Sequence, residues 1–103
     1  MPAYVIAHFT IHDYESYGRY TEAFFPILAR FNGKLVAVDD NAPILEGIAP
    51  AGRTVVLEFP DRETAFAWSN DPEYQRITKL RRAGTDPFIV TIIGDRPKGW
   101  TGG

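Results

Sequence analysis

The stretch FPDRETAFAWSNDPEYQ, residues 59–75, holds two helix starts in close succession. Pro60 closes a strand, Asp61 is placed to cap, and Arg62 and Glu63 open a helix, with Glu63 at the positive end of its dipole. A second start follows at once. Asn70 or Asp71 caps, Pro72 takes the first helical position and Glu73 lies in the first turn. A proline at 72 also disfavours a helical Asp71. The chain therefore turns a corner at residues 69–71. One straight helix cannot both follow a sheet and cross its edge, whereas two pieces can. Asn70, Asp71 and Pro72 themselves read as packing geometry.

Working outward, AYVIAHFTI at residues 3–11 is β-branched and aromatic and alternates. Val5, Ala7, Phe9 and Ile11 share one face, and Tyr4, Ile6, His8 and Thr10 the other. Next comes a helix capped by Asp13 and stopped near Gly33. At 100° per residue, Tyr17, Tyr20, Phe24, Leu28 and Phe31 form a stripe flanked by Tyr14, Phe25 and Ile27. Pro26 falls on the opposite side with Glu22 and Arg30, where water satisfies the carbonyl it frees, so it curves the helix and does not end it. Residues 34–40 read as a strand, and NAPILEG as a turn with a short extended piece. Residues 53–59 form a third strand with Val55, Leu57 and Phe59 on one face and Thr54, Val56 and Glu58 on the other. The last strand, DPFIVTIIG, is apolar on both faces and is expected to be buried on both.

The order is β-α-β-β-α-β, an α+β, ferredoxin-like arrangement with a four-stranded antiparallel sheet and its second helix broken in two. The first and third strands lie in the centre and both helices cover one face. The other face is left apolar, so a second copy is expected to cover it in a homodimer.

The totals narrow the function. The 103 residues are one domain's worth, 45% hydrophobic and 23% charged. A formal net charge of -2 without a basic stripe argues against nucleic acid. With no cysteine there is no disulfide framework and no thiol nucleophile. No apolar run reaches the roughly 20 residues of a membrane span, and MPAYVIAHF lacks the charged start of a signal peptide, so a cytoplasmic protein is expected. His8 and His12 have no spacing that makes a metal site, and GIAPAGR lacks the lysine and helix of a phosphate loop. Neither metal nor cofactor is expected.

The strand ending VVLEFP, the short helix with alanine and tryptophan, DPEYQ and the arginine pair together resemble domain-of-unknown-function family 1330. The segments AYVIAHFTIHDYESYGRY, FNGKLV and ILEG add to the resemblance, which covers Pro2 to about Gly94. It implies a dimeric α/β barrel over residues 1–94, with residues 95–103 as a tail outside it, and no established reaction. The wider superfamily includes cofactor-free monooxygenases, haem-degrading enzymes and lactone isomerases, an analogy at the level of fold. Haem degradation needs a histidine on the helix side of the sheet, and His8 falls on the other.

Arg81 is the most informative side chain. Tyr74, Ile77 and Leu80 define the apolar stripe of the last helix, and Arg81 falls inside it while Lys79 and Arg82 point away. A guanidinium clamps a carboxylate through paired donors; the competing reading is a packed stem whose head reaches water or an internal acid, Glu58 or Glu46. His8 and Glu58, on adjacent central strands and on the face away from the helices, are a candidate acid–base pair or a satisfied polar pair in a dimer interface. Tyr17 and Trp68 are candidates for an aromatic ligand pocket, Tyr17 also for proton movement; Tyr20 reads as core. Two functions remain open. One is a cofactor-independent enzyme acting on a small apolar or aromatic acid, with catalytic residues among His8, Tyr17 and Glu58 and ligand contacts from Arg81, Trp68 and Tyr17. The other is a non-catalytic ligand-binding or assembly protein.

Overall fold

The computed structural model describes residues 1–49, 51–96, 99 and 100, except for the side chain of Pro87. The elements run β1 (Ala3–Ile11), α1 (Tyr14–Arg30), β2 (Lys34–Asp39), β3 (Arg53–Phe59), α2 (Arg62–Asn70), α3 (Pro72–Gly84) and β4 (Thr85–Ile93). The four strands form one antiparallel sheet in the order β2-β3-β1-β4, with β1 and β3 central as the element order requires.

Each helix start has the chemistry that its sequence carries. Asp13 accepts from the backbone N–H groups of Glu15 and Ser16, and Asp61 from that of Thr64. Asp71 both ends α2 and caps α3: its backbone is non-helical, at φ -59° and ψ 131°, and its Oδ2 accepts from Tyr74 N at 2.9 Å. The same carboxylate receives Arg30 Nη2 at 3.1 Å, which pins the corner to the end of α1. Pro26 lies inside α1 without ending it. At the C-terminus of α1, Asn32 takes the left-handed conformation (φ 56°), the role that the sequence gives to Gly33. Gly33 is needed for closeness instead, because a Cβ there would overlap the Leu28 side chain and come within 2.9 Å of Phe59.

The helices cover one face of the sheet. Ala3, Val5, Phe9, Leu57 and Phe59 are buried under Tyr17, Tyr20, Phe24, Ile27 and Leu28 of α1, Ala65 and Trp68 of α2 and Tyr74 of α3. The aromatic rings form a chain through this layer, from Phe9 to Tyr17, Tyr20, Phe24 and Trp68, with Trp68 also 4.2 Å from Tyr74 between centroids. Two flanking residues of the expected α1 stripe are not core: Tyr14 is exposed and Phe25 half-exposed.

β4 has its open face uncovered within the single chain, the face that a second copy is expected to cover. It is an edge strand, and Phe88, Ile89, Val90 and Ile93 keep 39–60% of their surface exposed. Trp68 of α2 and Thr78 and Arg81 of α3 cover only part of its helix side. The segment NAPILEG forms no strand, β2 ends at Asp39, and Leu45 and Ile48 stand fully in solvent.

Candidate functional site

The helix layer does not close solidly on the sheet. A cavity of about 250 Å³ lies between them, with Tyr17, Tyr20 and Phe24 from α1, Val55 and Leu57 from β3, and Trp68 from α2 in its wall. Its lining is apolar and aromatic except for Thr21 and two arginines, Arg53 and Arg81. The wall carries no carboxylate and no imidazole among the described residues.

Arg81 is placed there by the helical phase that puts Tyr74 and Thr78 inward, and it keeps only 6% of its surface exposed. Its guanidinium carbon sits 5.9 Å from the Tyr20 ring centroid and 5.0 Å from that of Phe88. Among the described residues, Nε and Nη1 have no hydrogen-bond partner, and neither does the buried Nε1 of Trp68 in the same wall. A buried cation normally finds an acid. The acids considered from sequence do not serve: Glu46 is exposed, and Glu58 points from the opposite face of the sheet.

Two tyrosines stand beside Arg81. The hydroxyls of Tyr20 and Tyr74 share a hydrogen bond of 3.0 Å. Burial pushes Tyr20 well above the ordinary phenol range. Burial also raises Tyr74, opposed by its hydrogen bond with Tyr20 and by the charge of Arg81. Both therefore stay protonated at neutral pH and present O–H donors.

Arg53 is the site residue that the sequence reading missed. It stands in phase with Val55, Leu57 and Phe59, so strand alternation alone directs it to the helix side. Gly52 brings it in close: at φ 149° a Cβ would sit 2.5 Å from the Phe9 carbonyl oxygen. The guanidinium lies 5.5 Å from the Tyr17 ring centroid and makes paired bonds to Asp40, Nε–Oδ1 at 2.6 Å and Nη2–Oδ2 at 3.1 Å. That bond holds Asp40 below the usual carboxylate range and Arg53 above its own. Tyr17 lines the cavity, with its ring beside the Arg53 guanidinium.

His8 and Glu58 share the open face but are not brought together. In the β1–β3 register His8 is opposite Thr54 and Glu58 is opposite Tyr4. His8 Nδ1 lies 2.9 Å from Thr54 Oγ1, and Glu58 hydrogen-bonds the Tyr4 hydroxyl, raising that phenol. Four residues of strand, about 13 Å at 3.3 Å per residue, separate the two, and neither lines the cavity. His12 is exposed at the β1–α1 corner. Among the described residues, no group of three His, Cys, Asp or Glu side chains could hold a metal ion, and no helix is long and apolar enough to cross a membrane.

Residues 2–94 match the family described as Domain of unknown function (DUF1330), and the chain belongs to it. Solved structures share the fold at low identity. A protein of unknown function from Rhodopseudomonas palustris superposes with a TM-score of 0.77 at 18% identity, over 93% of this chain and 83% of that one. A dimeric protein of unknown function and ferredoxin-like fold from Bacteroides fragilis gives 0.63 at 14%, over 91% and 96%. SnoaB, a cofactor-independent oxygenase from Streptomyces nogalater, gives 0.57 at 14%, over 95% and 96%. No similar protein is found among the curated proteins.

Proposed function

We propose that this member of the DUF1330 family binds a small apolar or aromatic acid in the helix–sheet cavity, with Arg81 holding the anionic group. The observation that carries this reading is the buried guanidinium whose Nε and Nη1 have no partner among the described residues, set in a wall of aromatic rings. A ligand carboxylate would supply the missing acceptor and the missing charge together. The rings would stack on its body, and a cavity of about 250 Å³ suits a one- or two-ring acid.

The site is proposed to work in a homodimer. The open face carries Ile6 and Val56 beside Ile89 and Ile93 of the edge strand, and a second copy laid across it would bury them. The dimeric ferredoxin-like neighbours support this arrangement.

The enzymatic form of the reading is a cofactor-independent reaction, by likeness of fold to the SnoaB oxygenase. Here Arg81 would stabilise developing negative charge, and the Tyr17 and Tyr74 hydroxyls would donate to it. The absence of a carboxylate or imidazole from the described cavity wall favours the second form, a ligand-binding protein without chemistry. A thermal-shift screen of aromatic carboxylates against carboxamides of the same shape tests the binding claim. Acids should raise Tm and the amides should not. Chromatography of the incubated ligands then separates the two forms, because only an enzyme yields product.

A further inference from the structure

Trp68, Tyr74, Arg81 and Val90 line the aromatic cavity, and the same four side chains line a second concavity of about 260 Å³ on the far side, toward β4. They form a partition with a chamber on each side, and the two chambers differ in chemistry. The first is aromatic. The second adds Ser69, Gln75, Thr78 and Arg82, and it opens beside Phe88 at the sheet edge. Arg82, exposed on α3, stands with Gln75 at the rim of this concavity, and both also line an outer surface depression with Arg76 and Lys79. The buried Nε and Nη1 of Arg81 and Nε1 of Trp68 belong to the partition, so partnerless donors stand where the chambers meet.

We infer that the two chambers are halves of one bipartite site, and that its ligand is an apolar or aromatic body carrying two neighbouring anionic groups. The body occupies the aromatic chamber. One anion meets Arg81 at the partition, and the second reaches Arg82 and the Gln75 amide in the polar chamber. Adjacent arginines on one helix cannot both be neutralised by a single carboxylate held at the partition, whereas a pair of acids on one carbon offers one acceptor to each. The inference rests on the proposed binding of acids at Arg81 and narrows it to diacids.

Titration calorimetry at constant ionic strength tests it with 3-phenylpropanoate and benzylmalonate, which share a phenyl body and differ by one carboxylate. The parent should bind benzylmalonate about tenfold more tightly, the scale of one additional charge-assisted contact. Arg82→Met should bring benzylmalonate to the level of 3-phenylpropanoate and leave the latter unchanged. Arg19→Met, an exposed cation of α1 that lines neither chamber, should alter neither and so excludes a general effect of charge. Equal or weaker binding of benzylmalonate by the parent overturns the bipartite site while leaving the single-anion site intact. So does an Arg82→Met protein that keeps the full preference. If the parent binds neither acid, the reading of the aromatic cavity itself has failed, and this inference with it.

Discussion

The Tyr20 hydroxyl lies 3.0 Å from the Tyr74 hydroxyl, joining α1 to α3 beneath the aromatic cavity. The two are not equivalent: burial raises Tyr20 well above the phenol range, whereas the rise that burial gives Tyr74 is opposed by its bond to Tyr20 and by the charge of Arg81. Tyr20→Phe leaves Tyr74 beside the Arg81 charge, but Tyr74→Phe leaves the Tyr20 hydroxyl buried and alone. Urea denaturation should give a loss of about 1 kcal/mol for Tyr20→Phe and about 2 kcal/mol for Tyr74→Phe. The reverse order would mean that Arg81 does not support Tyr74.

Trp68 is 2% exposed and packs on Phe24, Phe59 and Tyr74. Trp68→Ala should cost about 3 kcal/mol, at the low end for a buried aromatic because the neighbouring cavity allows relaxation. Trp68→Phe should cost less, since one ring still packs, while weakening acid binding, since the indole N–H and its second ring are lost. A loss below about 1 kcal/mol for the alanine variant would contradict its place in the core.

Acid should weaken the corner. Asp71 is held below the ordinary carboxylate range by the Tyr74 backbone N–H and by Arg30, and Asp13 and Asp61 by their own caps. A carboxylate lowered on folding stabilises the protein above its unfolded value, near 3.9 as a rough reference, and that stability is lost as pH falls through the lower folded value. Denaturation curves should weaken as pH falls below about 4. Asp71→Asn, which keeps a cap acceptor without the charge, should flatten that dependence. Identical pH profiles for parent and variant would show that the corner carries no linked proton.

The proposed dimer makes a direct prediction. Light scattering of dilute protein should give about twice the chain mass of 11.6 kDa, and Ile93→Glu on the open face should give the monomer. Trp100 is 61% exposed on the single chain, and the tail is proposed to dock it on the partner. Residues 97, 98 and 101–103 of that tail lie outside the described residues. Deleting residues 96–103, which spares the Arg62–Asp95 ion pair, should weaken dimerisation or lower Tm. A stable monomer at micromolar concentration would rule out the dimer, and a truncated chain that dimerises and melts like the parent would rule out the docked tail.

The element order and the broken helix were legible because each rests on local chemistry: strand alternation, the caps Asp13, Asp61 and Asp71, and the proline at 72. The inward direction of Arg81 followed from helical phase. The His8–Glu58 pair was not legible. Alternation assigns a face, but a register shift of two residues preserves every face while moving partners by nearly 7 Å. Arg53 could have been found, since it shares the parity of Val55, Leu57 and Phe59, but a charge at the start of an apolar strand reads easily as its solvent end. The uncovered open face of β4 was legible, but the partial exposure of Phe88 and Val90 on its helix side was not, because strand composition does not say how far the helices extend over an edge.

The most direct test concerns Arg81. Met fills the place of the arginine stem, and removing a buried guanidinium with two partnerless nitrogens should leave Tm equal to the parent's or higher. Calorimetry should then show that the parent binds 3-phenylpropanoate well above its amide, and that Arg81→Met loses that preference and binds the acid at least about tenfold more weakly. A folded Arg81→Met dimer that binds the acid as tightly as the parent would contradict the anion site.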